Sequence, residues 1–196
     1  MKRAVITGAT SDVSKIIMNH FDFEWIPVSR THGITLPDDI EKIMQGIRSS
    51  DIFFNIGQFG TIQSDLLGLV WNTWNMQETK TPKKIISFGS LVTDMQLQTI
   101  LELNDFTYFN RTREKSGYIA EKLLLKKTHN EYKNLHLTGY RKEYCVPQSI
   151  LINLGNVLYK DVRSHEPYTN EEQLIEAVDF VINSKSYISD IELRWD

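Results

Sequence analysis

Short runs of β-branched and apolar residues alternate along this chain with segments of helical period, and that alternation restricts its architecture more than any other feature. Arg3 to Ile6, Trp25 to Val28, Asp51 to Ile56, Lys84 to Phe88, Ser149 to Leu154 and Tyr187 to Trp195 read as strands. Helical spacing runs from Asp12 or Val13 to His20, with Asp12 a suitable N-cap, and through Ile40, Ile43, Met44 and Ile47 behind Leu36-Pro37-Asp38-Asp39. It returns from Asp65 to Met76, Gly117 to Lys127 and Asn170 to Asn183, while the interval between Ser90 and Gly117 has no clear pattern. Strands that alternate with helices need a crossover each time, and right-handed crossovers build a parallel sheet covered on both faces. The expectation is an α/β, doubly wound parallel sheet formed by residues 1–196 as a single domain.

Composition agrees and removes some functions. Hydrophobic residues at 41% and charged residues at 24% suit a folded chain rather than a disordered one. A formal net charge of -3 provides no global attraction for nucleic acid or anionic membrane. Cys145, the single cysteine, cannot form an internal disulfide and reads as a small, partly buried hydrophobe. The apolar run before Gly8 is too short for a secretory signal and no run is long enough to span a bilayer, so a cytoplasmic location is expected. The five histidines, His20, His32, His129, His136 and His165, lack metal-ligand spacing and read as surface or loop residues, with no metal site.

Ligands of doubly wound sheets bind at the carboxyl ends of the strands, so the residues after each strand are the candidates. The first strand leads into Thr7-Gly8-Ala9-Thr10-Ser11-Asp12-Val13-Ser14, a turn of small residues at a helix N-terminus. Backbone N–H groups and the helix dipole can hold a pyrophosphate there, although any tight strand-to-helix turn has the same look. Ser29-Arg30 follows the second strand with no acid, and Asn55 and Gly57 stand at the end of the third, where Asn and Gly are also ordinary turn formers. Ser90 ends the fourth. Tyr118 and Lys122 stand one helical turn apart on one face. A phenol is a weak acid-base catalyst near neutrality, and an adjacent ammonium favours its ionised form.

With these segments the chain resembles the short-chain dehydrogenase/reductase family from Lys2 to about Leu158, and that resemblance implies a Rossmann-like domain that binds NAD(P). The family's TGxxxGxG is kept at Thr7 and Gly8, whereas Asp12 and Ser14 stand at the second and third glycine positions. A carboxylate there repels a pyrophosphate unless it turns away. The resemblance implies Tyr118 as proton donor and acceptor, Lys122 as its activator and ribose ligand, and Ser90 as the group that orients substrate. Asn72, with Asn75 behind it, is the candidate for the family's helical Asn. Cofactor contacts are implied at Thr7, Gly8, Thr10, Ser11, Asp12, Val13, Ser29, Arg30, Asn55, Gly57 and Lys122, and at Gly155 and Val157 in Asn153-Leu154-Gly155-Asn156-Val157. Arg30 suits a 2'-phosphate, so NADP(H) is expected over NAD(H).

The activity implied is interconversion of a small carbonyl compound and its alcohol. The alternatives are a non-catalytic nucleotide-binding scaffold of the same fold and an enzyme like a nucleotide-sugar epimerase or dehydratase. A homodimer is expected because the family pairs helices equivalent to Asp65–Met76 and Gly117–Lys127, and Leu66, Leu67, Leu69, Val70 and Trp74 cover more of one helix than a single inward face needs.

Overall fold

The computed structural model describes residues 1–57, 60–77, 79, 81–90, 112–137, 145–154, 156–157 and 168–193. In chain order its elements are β1 (Arg3–Thr7), α1 (Asp12–His20), β2 (Glu24–Val28), α2 (Ile40–Arg48), β3 (Ile52–Asn55), α3 (Ile62–Asn75) and β4 (Lys84–Ser90). There follow α4 (Thr112–Leu137), β5 (Gln148–Leu154), β6 (Asn156–Val157), β7 (Tyr168–Thr169), α5 (Glu171–Asn183) and β8 (Asp190–Leu193). Six strands pair in the order β2-β1-β3-β4-β5-β8, every pair parallel, and β6 with β7 forms a separate two-stranded ladder. The chain leaves β1 in one direction to reach β2 and then returns to its other side as β3. A crevice opens at the carboxyl ends where the order reverses in this way.

Alternate side chains of the buried strands divide the core between the two faces of the sheet. Ala4, Ile6, Phe54, Ile86, Phe88, Ile150 and Ile152 pack with Ile16 and Ile17 of α1 and Leu174, Val178 and Val181 of α5. Val5, Phe53, Ile85 and Leu151 pack on the other face with Ile43 and Ile47 of α2, Leu66, Leu67, Val70 and Trp74 of α3, and Leu125 of α4. Helices therefore cover both faces, and the structure is the expected α/β, Rossmann-like sheet.

Several details differ from the sequence expectation. Leu66, Leu67, Val70 and Trp74 are all buried within the chain, and of the five apolar residues expected to overfill α3 only Leu69 is exposed. Helix α4 runs ten residues beyond the expected end at Lys127 because its inward positions turn polar: His129 meets Ser149, and Tyr132 stacks on Trp71. His129 is fully buried, contrary to the reading of the histidines as surface residues. Its Nδ1 lies 2.8 Å from the Ser149 hydroxyl and its Nε2 3.2 Å from Asp190, which also pairs with Lys133. These two partners let an imidazole replace an apolar side chain in the core. Lys84 is buried as well, and its ammonium donates to the carbonyls of Val181, Ile182 and Ser184, closing the C-terminal end of α5. Among the described residues no helix is long and apolar enough to cross a membrane.

Candidate active site

The turn after β1 takes its shape from small residues. Gly8 adopts φ +65, and a Cβ there would lie 2.8 Å from the Gly57 Cα, so two loops meet at a distance only glycine allows. Thr7 joins the same loops, its hydroxyl accepting from the N–H groups of Ile56 and Gly57 at 2.9 Å each. Ser11, rather than the expected Asp12, caps α1: its hydroxyl accepts from the Ser14 N–H at 3.2 Å. Asp12 opens the helix instead, with its exposed carboxylate 3.6 Å from Lys15. Ser14 stands at a family glycine position and donates its hydroxyl to the Gly8 carbonyl at 2.8 Å. Both departures from the glycine pattern are thus used locally, and the positive end of α1 still faces the crevice.

That crevice is a cavity of about 510 Å³ above the carboxyl ends of β1, β3, β4 and β5. Gly8, Thr10, Ser11, Asp12, Val13 and Gly57 line one part of it, and Ser90, Tyr118 and Lys122 another. Ser90 hydrogen-bonds to Tyr118, which lowers the pKa of the phenol against the larger, upward effect of its burial. The Lys122 ammonium lies 5.7 Å from the centre of the Tyr118 ring. Burial brings its pKa down to about 8, while Glu121 acts in the opposite sense. Lys122 donates to the Phe88 carbonyl and to Gln63 Oε1, each at 2.7 Å. Gln63 is the residue that sequence reading missed, since a glutamine in the first turn of a helix carries no pattern of its own.

Other expected site residues lie elsewhere. Thr7 and Asn55 are fully buried beneath the cavity rather than on its wall. Ser29 and Arg30 follow β2 outside the lining residues, where the Ser29 hydroxyl bonds Thr31 and His32 and Arg30 is exposed. Asn72 is not brought to the cavity: it is exposed near the end of α3 and its amide donates to the Tyr132 hydroxyl at 3.4 Å. A helix rising 1.5 Å per residue carries Tyr132 roughly 20 Å beyond Tyr118, which explains the separation. Gly155 lies outside the described residues. The Val157 backbone pairs with Thr169 in the small ladder, just beyond the cavity-lining Leu154. Among the described residues no group of three His, Cys, Asp or Glu side chains could hold a metal.

Neither a protein-family model nor a curated protein sequence matches the chain. Solved structures do match it in fold. An alcohol dehydrogenase from Thermococcus sibiricus complexed with 5-hydroxy-NADP is 12% identical, over 99% of this chain and 96% of that one, with a TM-score of 0.62. A GDP-L-fucose synthetase from Naegleria fowleri bound to NADP is 11% identical, over 100% of this chain and 73% of that one, at a TM-score of 0.63. A short-chain dehydrogenase from Sphingobium yanoikuyae in complex with NADPH is 13% identical, over 97% and 87%, at 0.58. At such identities the likeness establishes the fold, and chemistry has to be argued from the residues of the cavity.

Proposed function

We propose that the chain is an NADP(H)-dependent oxidoreductase of the short-chain dehydrogenase/reductase type that interconverts a small carbonyl compound and its alcohol. The observation that carries this reading is the meeting of Ser90, Tyr118 and Lys122 in one cavity with the N-terminal turn of α1. The neighbours solved with NADP or NADPH support it.

The residues fit such a cofactor on structural grounds. The opening N–H groups of α1 border the cavity and can receive a pyrophosphate there, the charge of the Asp12 carboxylate on the same wall being offset in part by Lys15 at 3.6 Å. Gly8 to Val13 would hold the diphosphate, Lys122 a ribose hydroxyl, and Ser29 with Arg30 a 2'-phosphate. When bound, the reduced nicotinamide supplies a hydride to the carbonyl carbon. Tyr118 donates its phenolic proton to the carbonyl oxygen, so a C–H and an O–H bond form as the C=O double bond becomes single. Lys122 stabilises the tyrosinate left behind, and Ser90 hydrogen-bonds the reacting oxygen. Oxidation runs the same transfers backwards, with tyrosinate taking the alcohol proton.

The deciding experiment titrates the chain with NADPH and NADH by tryptophan fluorescence and follows NADPH consumption over a panel of small aldehydes and ketones. Saturable NADPH binding with turnover of one panel member is expected, and absence of binding by either cofactor overturns the assignment. A nucleotide-sugar substrate is the second reading, favoured by the fold shared with the GDP-L-fucose synthetase. NADPH consumption dependent on a GDP-sugar, with none on the panel, selects it.

A further inference from the structure

Lys122 is held by more than the strand and helix that carry it. Gln63 and Asn55 form a closed pair: the Asn55 side-chain amide donates to the Gln63 carbonyl at 2.7 Å, and the Gln63 side-chain amide donates to the Asn55 carbonyl at 2.8 Å. With its nitrogen so engaged, the Gln63 amide has one orientation, and its oxygen faces the Lys122 ammonium. All three residues are at least nine-tenths buried, so water cannot replace any of these partners at no cost. An ammonium has three N–H donors, and Gln63 and Phe88 take two of them, leaving one for a molecule in the cavity.

We propose that Gln63, locked by Asn55, is the positioning residue of Lys122, fixing where the ammonium sits before any ligand arrives and favouring its charged form. The inference deepens the proposed function, since Lys122 supports Tyr118 only while charged and in place. The neutral groups facing Lys122 are Gln63 from α3 and the Phe88 carbonyl from β4, with Asn55 of β3 behind Gln63. The titratable ones are Tyr118 and Glu121, both on α4 itself. The only oxygen of α3 on the ammonium therefore comes from an uncharged amide.

The test is NMR titration of protein labelled with 13C-lysine, with no cofactor present, the Lys122 signal being assigned through Lys122→Arg. Gln63→Met keeps the length and removes the oxygen, and it moves the Lys122 titration about one pH unit lower. Gln63→Glu keeps the oxygen, adds charge and moves it higher; this variant decides the matter alone if Gln63→Met does not fold by near-ultraviolet circular dichroism. NADPH binding should weaken about tenfold in Gln63→Met through loss of the preset ammonium. A Lys122 titration equal in wild type and Gln63→Met, or one that does not rise in Gln63→Glu, overturns the proposal. A wild type that binds no NADPH while Lys122 still follows Gln63 removes the oxidoreductase reading and leaves the clamp standing.

Discussion

Tyr118 is subject to opposed influences, its burial raising the pKa of the phenol and the Ser90 hydrogen bond lowering it. Its proton is what the proposed chemistry uses, while the proposed cofactor contacts lie on α1 and Lys122. Tyr118→Phe should therefore reduce kcat at least 10²-fold, the usual scale of a positioned acid, and change NADPH affinity less than about threefold, as read from steady-state kinetics and fluorescence titration. Arg30 is a separate matter. A guanidinium on a 2'-phosphate is worth about 1.5 to 3 kcal/mol, so Arg30→Ala should weaken NADPH roughly ten- to 150-fold and leave NADH unchanged; equal loss for both cofactors refutes the assigned contact. That Tyr118, Lys122, Ser90 and Gly8 come together at one cavity was legible because each is marked by a fixed spacing or by the end of a strand. Gln63 was passed over, and Asn72 was expected at the site but lies away from it, for the opposite reason. An amide works from wherever packing puts it, and the choice between two helical amides is made by the register of α3 against α4, which the sequence does not display.

Among the elements, the turn from β1 into α1 bears the tightest constraint. Gly8→Ala places a methyl group 2.8 Å from the Gly57 Cα in a left-handed backbone, and neither loop can retreat while Thr7 ties them together. The expected result is about 1–3 kcal/mol of lost stability in urea unfolding together with loss of NADPH binding. A variant as stable as wild type would show that the loops are free to separate. The order of strands and helices could be read from periodicity alone, because each parallel strand is buried on both faces and each helix on one. Boundaries could not. Ser11 and Asp12 are both good capping residues, and local hydrogen bonding with Ser14 decides between them. Helix α4 outlasts its apolar period because His129 and Tyr132 find polar and aromatic partners distant in sequence.

For the molecule as a whole, acid and association are the informative variables. Hydrogen bonds from His129, then Lys133, hold the Asp190 carboxyl well below the usual carboxylate range against the opposing effect of its partial burial. A folded-state pKa below the unfolded one gives stability that is complete above about pH 4, where the unfolded carboxylate ionises, and is lost as pH falls towards the folded value. Asp190→Asn should thus lower Tm by roughly 2–4 °C at pH 7, with the difference from wild type shrinking below about pH 4; a constant difference in calorimetry would refute the linkage. Leu66, Leu67, Val70 and Trp74 are buried within the chain, whereas Leu69 on α3 and Leu123, Leu124, Leu135 and Leu137 on α4 are exposed apolar side chains. We expect them to pair two copies, giving the mass of two chains by light scattering at micromolar concentration; the mass of one chain would refute this. The ammonium of Lys84 has a different kind of consequence, since its three acceptors lie about 100 residues further along the chain. A chain still being synthesised can supply β4 and β5 but no acceptor for that charge until the end of α5 has followed, so the nascent sheet keeps one face open and within reach of chaperones until that helix docks.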